Sequence, residues 1–142
     1  MVDRFSELLD KKTIVALQGP MAVGKTEFVK HLCGKFRSST VASPTFAIHH
    51  RYSSMRGAID HLDLYRLENE DELETTGFWD FLSASEGLIF IEWPEKMNLD
   101  HLPFSWRLLM VEIRFLSEKE NEADESSERM IKIFQRQVER NS

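Results

Sequence analysis

The sequence predicts an α/β fold, and three stretches carry that prediction. The short β-branched run "TIVAL", Thr13 to Leu17, leads into "GPMAVGKT", Gly19 to Thr26, and then into "TEFVKHLCGKF", the order strand, glycine loop, helix. "LIFIE", Leu88 to Glu92, is an unbroken apolar run ending in an acid, as in a strand covered on both faces. "RLLMVEIRFL", from Arg107 onward, alternates Leu109, Val111, Ile113 and Phe115 with longer or charged neighbours, the period of a strand.

Each element follows in order. The 142 residues amount to about one domain's worth of chain, so a single domain over residues 1–142 is expected. The helix behind the glycine loop rests on Phe28, Leu32, Cys33 and Phe36 at three- and four-residue spacing, with Gly34 and Arg37-Ser38-Ser39 as a loose end. Cys33 is the single cysteine, reads as a small buried hydrophobe, and fits a reducing compartment. "TVASPTFAIHHRY" and "AIDHLDLYRL" predict two strands joined by a loop, with Pro44 pushing Ser43 into an extended conformation. Asn69 is a candidate N-cap for two short helical patterns broken at Gly77. Gly87 opens the buried strand of Leu88 to Glu92, and Pro94 and Pro103 mark the loop after it. "RLLMVEIRFL" is expected at an antiparallel sheet edge. The stretch "SEKENEADESSE" has six acids and one lysine and reads as a solvated loop. "RMIKIFQRQVER" suits a returning strand through Ile131 and Ile133, with a helix through Met130, Phe134 and Val138 as the alternative.

Bulk properties narrow the function classes. The formal net charge is −6 at pH 7, so the chain has no general attraction for RNA or DNA and would serve nucleic acid through a partner. No apolar run approaches the roughly 18 residues needed to cross a bilayer. Met1 to Asp10 carries three acids rather than a basic start and an apolar block, which predicts a cytoplasmic protein.

The segment from Gly19 to Thr26 has the spacing G-x-x-x-x-G-K-[ST], a phosphate-holding loop. Glycines there permit close backbone approach, so that successive N–H groups can point at phosphate oxygens in front of a helix N-terminus. Gly19, Pro20, Met21, Ala22, Val23, Gly24, Lys25, Thr26 and Glu27 are therefore the candidate nucleotide contacts. Lys25 supplies positive charge to the β- and γ-phosphates, and the Thr26 hydroxyl can ligate Mg²⁺. A metal site also needs an acid at the C-terminal end of a neighbouring strand, for which Glu92 and Asp63 are the candidates. Thr45, after Pro44, can offer a hydroxyl to a γ-phosphate. His49, His50 and His61 do not predict a metal cluster, since adjacent histidines on a strand face opposite ways. Trp79 and Trp93 read as packing aromatics.

Taken together, "GPMAVGKTEF", "SPTF", "HLDLYRL" and "IEWPE" resemble, in this order, the bacterial TsaE (YjeE) family, small ATPases required for threonylcarbamoylation of tRNA adenosine. The resemblance runs from about Thr13 to Pro103. It implies a P-loop NTPase-like three-layer domain whose mixed sheet carries antiparallel additions. It implies ATP and Mg²⁺ as cofactors, with Lys25 on the γ-phosphate and Thr26 and Glu92 on the metal. Asp63 matches the acid of the family's H-x-D-x-Y-R motif, with His61, Tyr65 and Arg66 beside it. Ser43, Pro44 and Thr45 match a switch-like segment, and Trp93 the tryptophan after the acid. The implied catalytic set is Lys25, Asp63 and Thr45, the last two orienting a water. The implied partners are the TsaB and TsaD proteins, with tRNA reached through them. The loop departs from the family's usual G-D-L-G-A-G-K-T at Pro20, Met21 and Ala22, which bears on turnover more than on phosphate binding. Phe5 is the candidate for an adenine contact.

Two other readings compete. A small-molecule kinase would use the same loop but needs an acceptor pocket and an arginine-bearing lid, whereas the segment from Glu118 to Glu128 is acidic. A nucleotide-holding regulatory module would keep the loop without turnover.

Overall fold

The computed structural model describes residues 12–21, 23–35, 39–41, 49–54, 57–83, 87–116 and 129–135. Seven strands form one sheet in the order β2-β3-β4-β5-β1-β6-β7. In chain order they are β1 (Lys12–Gln18), β2 (Ser39–Val41), β3 (His49–Ser54), β4 (Gly57–Asp63), β5 (Gly87–Glu92), β6 (Arg107–Phe115) and β7 (Arg129–Gln135). The centre is parallel: β1 pairs with β5 on one side and β6 on the other, and β4 pairs with β5. Antiparallel hairpins flank it, β3 on β4 with β2 beyond, and β7 on β6. The expected mixed sheet with antiparallel additions is present.

Burial accounts for the central strands. Every residue from Thr13 to Leu17 is inaccessible to solvent, which only a strand without charged side chains tolerates. Helix α1 (Lys25–Lys35) covers one face through Phe28, Val29 and Leu32, packed on Val15, Leu17, Phe90 and Val111. The other face is covered by short pieces: a 3₁₀ turn at Glu70–Thr76, helix α2 (Phe78–Phe81) and 3₁₀ turns at Pro94–Lys96 and Leu99–His101. Leu73, Phe78, Met97 and Trp106 pack there on Ile14, Ala16, Ile89 and Ile91. Trp106, deep in this layer, satisfies its indole N–H on the Leu82 carbonyl at 3.0 Å. Gly77, at φ 78°, ends the first turn and starts α2, as the break in the helical pattern predicts. Asn69 occupies the N-cap position without a side-chain capping bond.

One expectation is corrected. The segment Arg107–Phe115 is an interior strand, parallel to β1 and antiparallel to β7, and β7 is the edge. Its even-numbered residues Leu108 and Met110 are also buried, because α2 and the 3₁₀ turns cover the face that alternation alone assigns to solvent. The strand reading of "RMIKIFQ" stands, with Ile131 and Ile133 packed on the α1-side core. The strand-like segment from Thr40 to Tyr52 carries two strands, β2 and β3, where one was expected. Cys33 falls within α1, its side chain outside the described residues, as are Phe36 and the acidic loop.

Candidate functional site

The in-register parallel pairing puts the C-terminal ends of β1, β4 and β5 side by side, with Leu17 opposite Glu92 and Asp63 opposite Glu92. Crevices at the carboxyl ends of parallel strands are where open α/β sheets bind ligands. The chain leaves β1 through Gly19 to Gly24 and enters α1 at Lys25. A Cβ on Gly19 would sit 2.5 Å from the Ile113 carbonyl oxygen and 2.8 Å from a Val23 methyl, so glycine is required for the loop to pass β6. Gly24 has φ 109°, a conformation nearly closed to other residues, and its carbonyl accepts from Phe28 N–H at 2.9 Å to start the helix.

A cavity of about 320 Å³ opens at this junction. Met21, Gly24, Lys25, Thr26 and Glu27 form its loop and helix side, and Asp63, Tyr65, Glu92 and Trp93 the opposite wall. Lys25 donates to the Gly19 carbonyl at 2.8 Å, and its ammonium lies 3.5 Å from the centre of the Trp93 ring. Burial lowers the Lys25 pKa, against the opposing charges of Glu92, Glu95 and Asp63. The Thr26 hydroxyl lies 2.9 Å from both carboxylate oxygens of Glu92, 66 residues away. His61 Nε2 is 2.5 Å from Glu92 Oε2. Burial alone would raise the Glu92 pKa, but His61, Thr26 and the Lys25 charge together hold it below the ordinary carboxylate value. Glu92 is thus an ionised acceptor in a buried position, and His61 Nε2 carries the proton between them.

Trp93 is the one described non-glycine residue with positive φ, at φ 60° and ψ 52°. A left-handed residue costs on the order of 1–2 kcal/mol, and such strain gathers at functional sites. Here it directs the indole back over Lys25 while Pro94 begins the next turn. Tyr65 packs against Trp93 with ring centres 5.1 Å apart. Packing alone therefore does not describe Trp93. Trp79, by contrast, does pack against Phe78.

Most residues expected from the sequence converge here. Asp63 lines the cavity and accepts from the Tyr65 N–H at 3.0 Å. His61 reaches the cavity through Glu92, while Arg66 is exposed outside its lining. Pro20 is exposed, and Val23 turns its side chain into the core. Ala22, Ser43, Pro44, Thr45 and Phe5 lie outside the described residues. The histidines divide as expected: His50 and His61 share a face with ring centres 6.4 Å apart, and His49 pairs with Asp60 on the other. Among the described residues no group of three or more His, Cys, Asp or Glu can hold a metal unaided. One residue went unnoticed in the sequence. Arg129 at the start of β7 donates through Nε to the Val23 carbonyl at 2.8 Å, across 106 residues.

The donor set suits a hard divalent cation. Thr26 and Glu92 offer oxygen only, Asp63 adds a second carboxylate, and a Mg²⁺ with few protein ligands completes its shell with water and phosphate. Charge points the same way. The cavity wall carries three carboxylates, Glu27, Asp63 and Glu92, against the single ammonium of Lys25. A polyphosphate entering without a cation would meet net negative charge.

Comparisons with known proteins agree with this geometry. A family model described as "Threonylcarbamoyl adenosine biosynthesis protein TsaE" matches residues 1–129. The tRNA threonylcarbamoyladenosine biosynthesis protein TsaE of Rickettsia prowazekii (strain Madrid E) is 37% identical over 95 residues, 64% of this chain and 63% of that protein. The protein of the same name from Aquifex aeolicus (strain VF5) is 32% identical over 99 residues, 68% of each chain. The matched stretch thus spans slightly under two-thirds of the Rickettsia relative's length. Among solved structures, Bacillus subtilis YdiB superposes with a TM-score of 0.54 at 21% identity, covering 82% of this chain and 70% of that one, a likeness of fold. No described helix is long and apolar enough to cross a membrane. With the family model matching nearly the whole chain and the phosphate loop meeting the strand-end acid as described, this chain belongs to the TsaE family.

Proposed function

We propose that this chain binds Mg²⁺-ATP and hydrolyses it slowly on its own, in support of the threonylcarbamoyl modification of tRNA adenosine. The observation that carries the reading is the Thr26 hydroxyl resting on the Glu92 carboxylate. It joins the two halves of a phosphate and metal site that the sequence keeps 66 residues apart. Gly19 to Thr26 hold the phosphates, with the loop N–H groups and the start of α1 facing the anion. Lys25 exchanges the Gly19 carbonyl and the Trp93 face for phosphate oxygens. Thr26 and Glu92 hold Mg²⁺, which when bound neutralises charge developing on the phosphates. His61 keeps Glu92 oriented and ionised. Asp63, and Thr45 in the S-P-T segment, orient the attacking water, while Tyr65 and Trp93 wall the cavity against bulk solvent. By the family resemblance, Ser43, Pro44 and Arg66 take the part of responding to nucleotide or partner.

The pathway assignment extends to this chain what the names of its relatives state. Its partners are the TsaB and TsaD proteins, through which tRNA is reached, and the net charge of −6 favours leaving RNA contact to them. The reading is tested by titrating Mg²⁺ into ATP-loaded wild type and Glu92→Gln while following hydrolysis. Loss of the carboxylate charge is expected to weaken apparent Mg²⁺ affinity by about 10- to 100-fold. An unchanged Mg²⁺ dependence would remove Glu92 from the metal site.

A further inference from the structure

Arg129 is the only described side chain from the β6–β7 hairpin shown bonding the phosphate loop, and its target is a backbone atom. Its Nε donates to the Val23 carbonyl at 2.8 Å. We propose that Arg129 is a positioning residue that orients the Val23–Gly24 peptide, so that the Gly24 N–H faces the phosphates. The proposal rests on the nucleotide reading of the loop given above.

In a planar trans peptide the C=O and N–H point in opposite directions. Holding the Val23 oxygen toward the hairpin therefore turns the Gly24 N–H away from it, toward the cavity that Gly24 lines with Lys25 and Thr26. The local chain does not fix this orientation firmly. Gly24 has the conformational latitude of glycine, and the Val23 N–H bond to the Pro20 carbonyl is long at 3.3 Å. A charged donor on the carbonyl is the stronger restraint. Arg129 is itself well seated: it pairs in register with Phe115, and its guanidinium carbon stands 5.3 Å from the centre of that ring. Two and four strand positions further on, Ile131 and Ile133 pack against the α1-side core and hold β7 in place. The edge hairpin is thereby tied to the amide geometry of the phosphate loop.

The test compares wild type, Arg129→Met, which keeps the apolar stem without a donor, and Arg129→Lys, which restores one. Two readouts are needed: amide NMR of the nucleotide-free protein, and Mg²⁺-ATP affinity by calorimetry. In Arg129→Met the Gly24 amide resonance is expected to move while that of Ile89, in the central sheet, stays. Affinity is expected to fall about tenfold, and Arg129→Lys to return it to within about threefold of wild type. If Arg129→Met does not fold, Arg129→Leu, which also lacks a donor, takes its place with the same expectations. A Gly24 resonance that stays put overturns the proposal, even with weakened affinity, because the arginine would then act on nucleotide directly. Equal affinity in wild type and Arg129→Met, both binding, also overturns it. A wild type that does not bind Mg²⁺-ATP instead contradicts the nucleotide reading on which the proposal rests.

Discussion

Lys25 is held by two partners that are weak substitutes for phosphate, a carbonyl oxygen at 2.8 Å and an indole face at 3.5 Å. Both keep a buried ammonium in place until an anion arrives. Nucleotide binding should therefore change the surroundings of Trp93. Of the three tryptophans, Trp93 is the one that lines the cavity, so Mg²⁺-ATP is expected to alter tryptophan emission in wild type and not in Trp93→Phe. A change that persists in Trp93→Phe would place Lys25 elsewhere in the bound state. Gly19 offers a second test at this scale. Its missing Cβ is what clears the Ile113 backbone at 2.5 Å, and a backbone oxygen cannot rotate away as a side chain can. Gly19→Ala is expected to destabilise the fold by about 1–3 kcal/mol in urea unfolding. Wild-type stability in that variant would mean the loop passes β6 with room to spare.

At the scale of elements, the β3–β4 hairpin carries a buried charge on the face away from α1. Asp60 is 4% exposed and accepts from Arg51 Nε at 2.9 Å, with His49 Nε2 at 2.7 Å. Burial pushes its pKa up, and the bonds from His49 and Arg51 reverse this and leave it below the ordinary carboxylate value. Because the folded pKa lies below the unfolded one, the contribution is complete above about pH 4 and fades as pH falls through the folded value. Asp60→Asn is expected to cost about 2–3 kcal/mol at pH 7, less than a fully enclosed pair because Arg51 is 44% exposed. The variant should also lose less stability than wild type on acidification; parallel pH profiles would show that Asp60 is not the titrating group. The central elements were legible from composition alone, since "TIVAL" and "LIFI" contain nothing that water would hold outside. The phosphate loop was legible from spacing, and Glu92 from its place after an apolar run. What stayed hidden depends on neighbours distant in sequence. The interior position of β6 follows from its pairing with β1 and β7, and the burial of its second face from short turns with no strong periodicity. The Arg129 bond to Val23 spans 106 residues, and no local pattern distinguishes that arginine from any other at a strand start. The left-handed turn of Trp93 is likewise a product of tertiary context, not of its residue type.

For the whole molecule, the strand ends, the phosphate loop and the edge hairpin meet on one sheet, so ligand binding should be felt globally. A ligand that binds only the folded state stabilises it by about 2.7 kcal/mol at a hundredfold excess over its Kd. Mg²⁺-ATP is thus expected to raise Tm, and chelation of Mg²⁺ with ATP still present to abolish most of the rise, because three carboxylates line the cavity. An equal rise without Mg²⁺ would contradict the metal-dependent site. Under the proposed function, the net charge of −6 would leave RNA contact to partners, and the chain's output should then be visible through them. The central claim, a phosphate loop and Glu92 forming a partner-coupled ATPase, is tested most directly by Mg²⁺-dependent ATP turnover. Wild type is compared with Lys25→Ala, each alone and with added TsaB and TsaD. The account predicts slow turnover alone, a clear rise with the partners, and loss of both in Lys25→Ala. Turnover that remains at background with partners present, while ATP still binds, would contradict it and leave a nucleotide-holding module in its place.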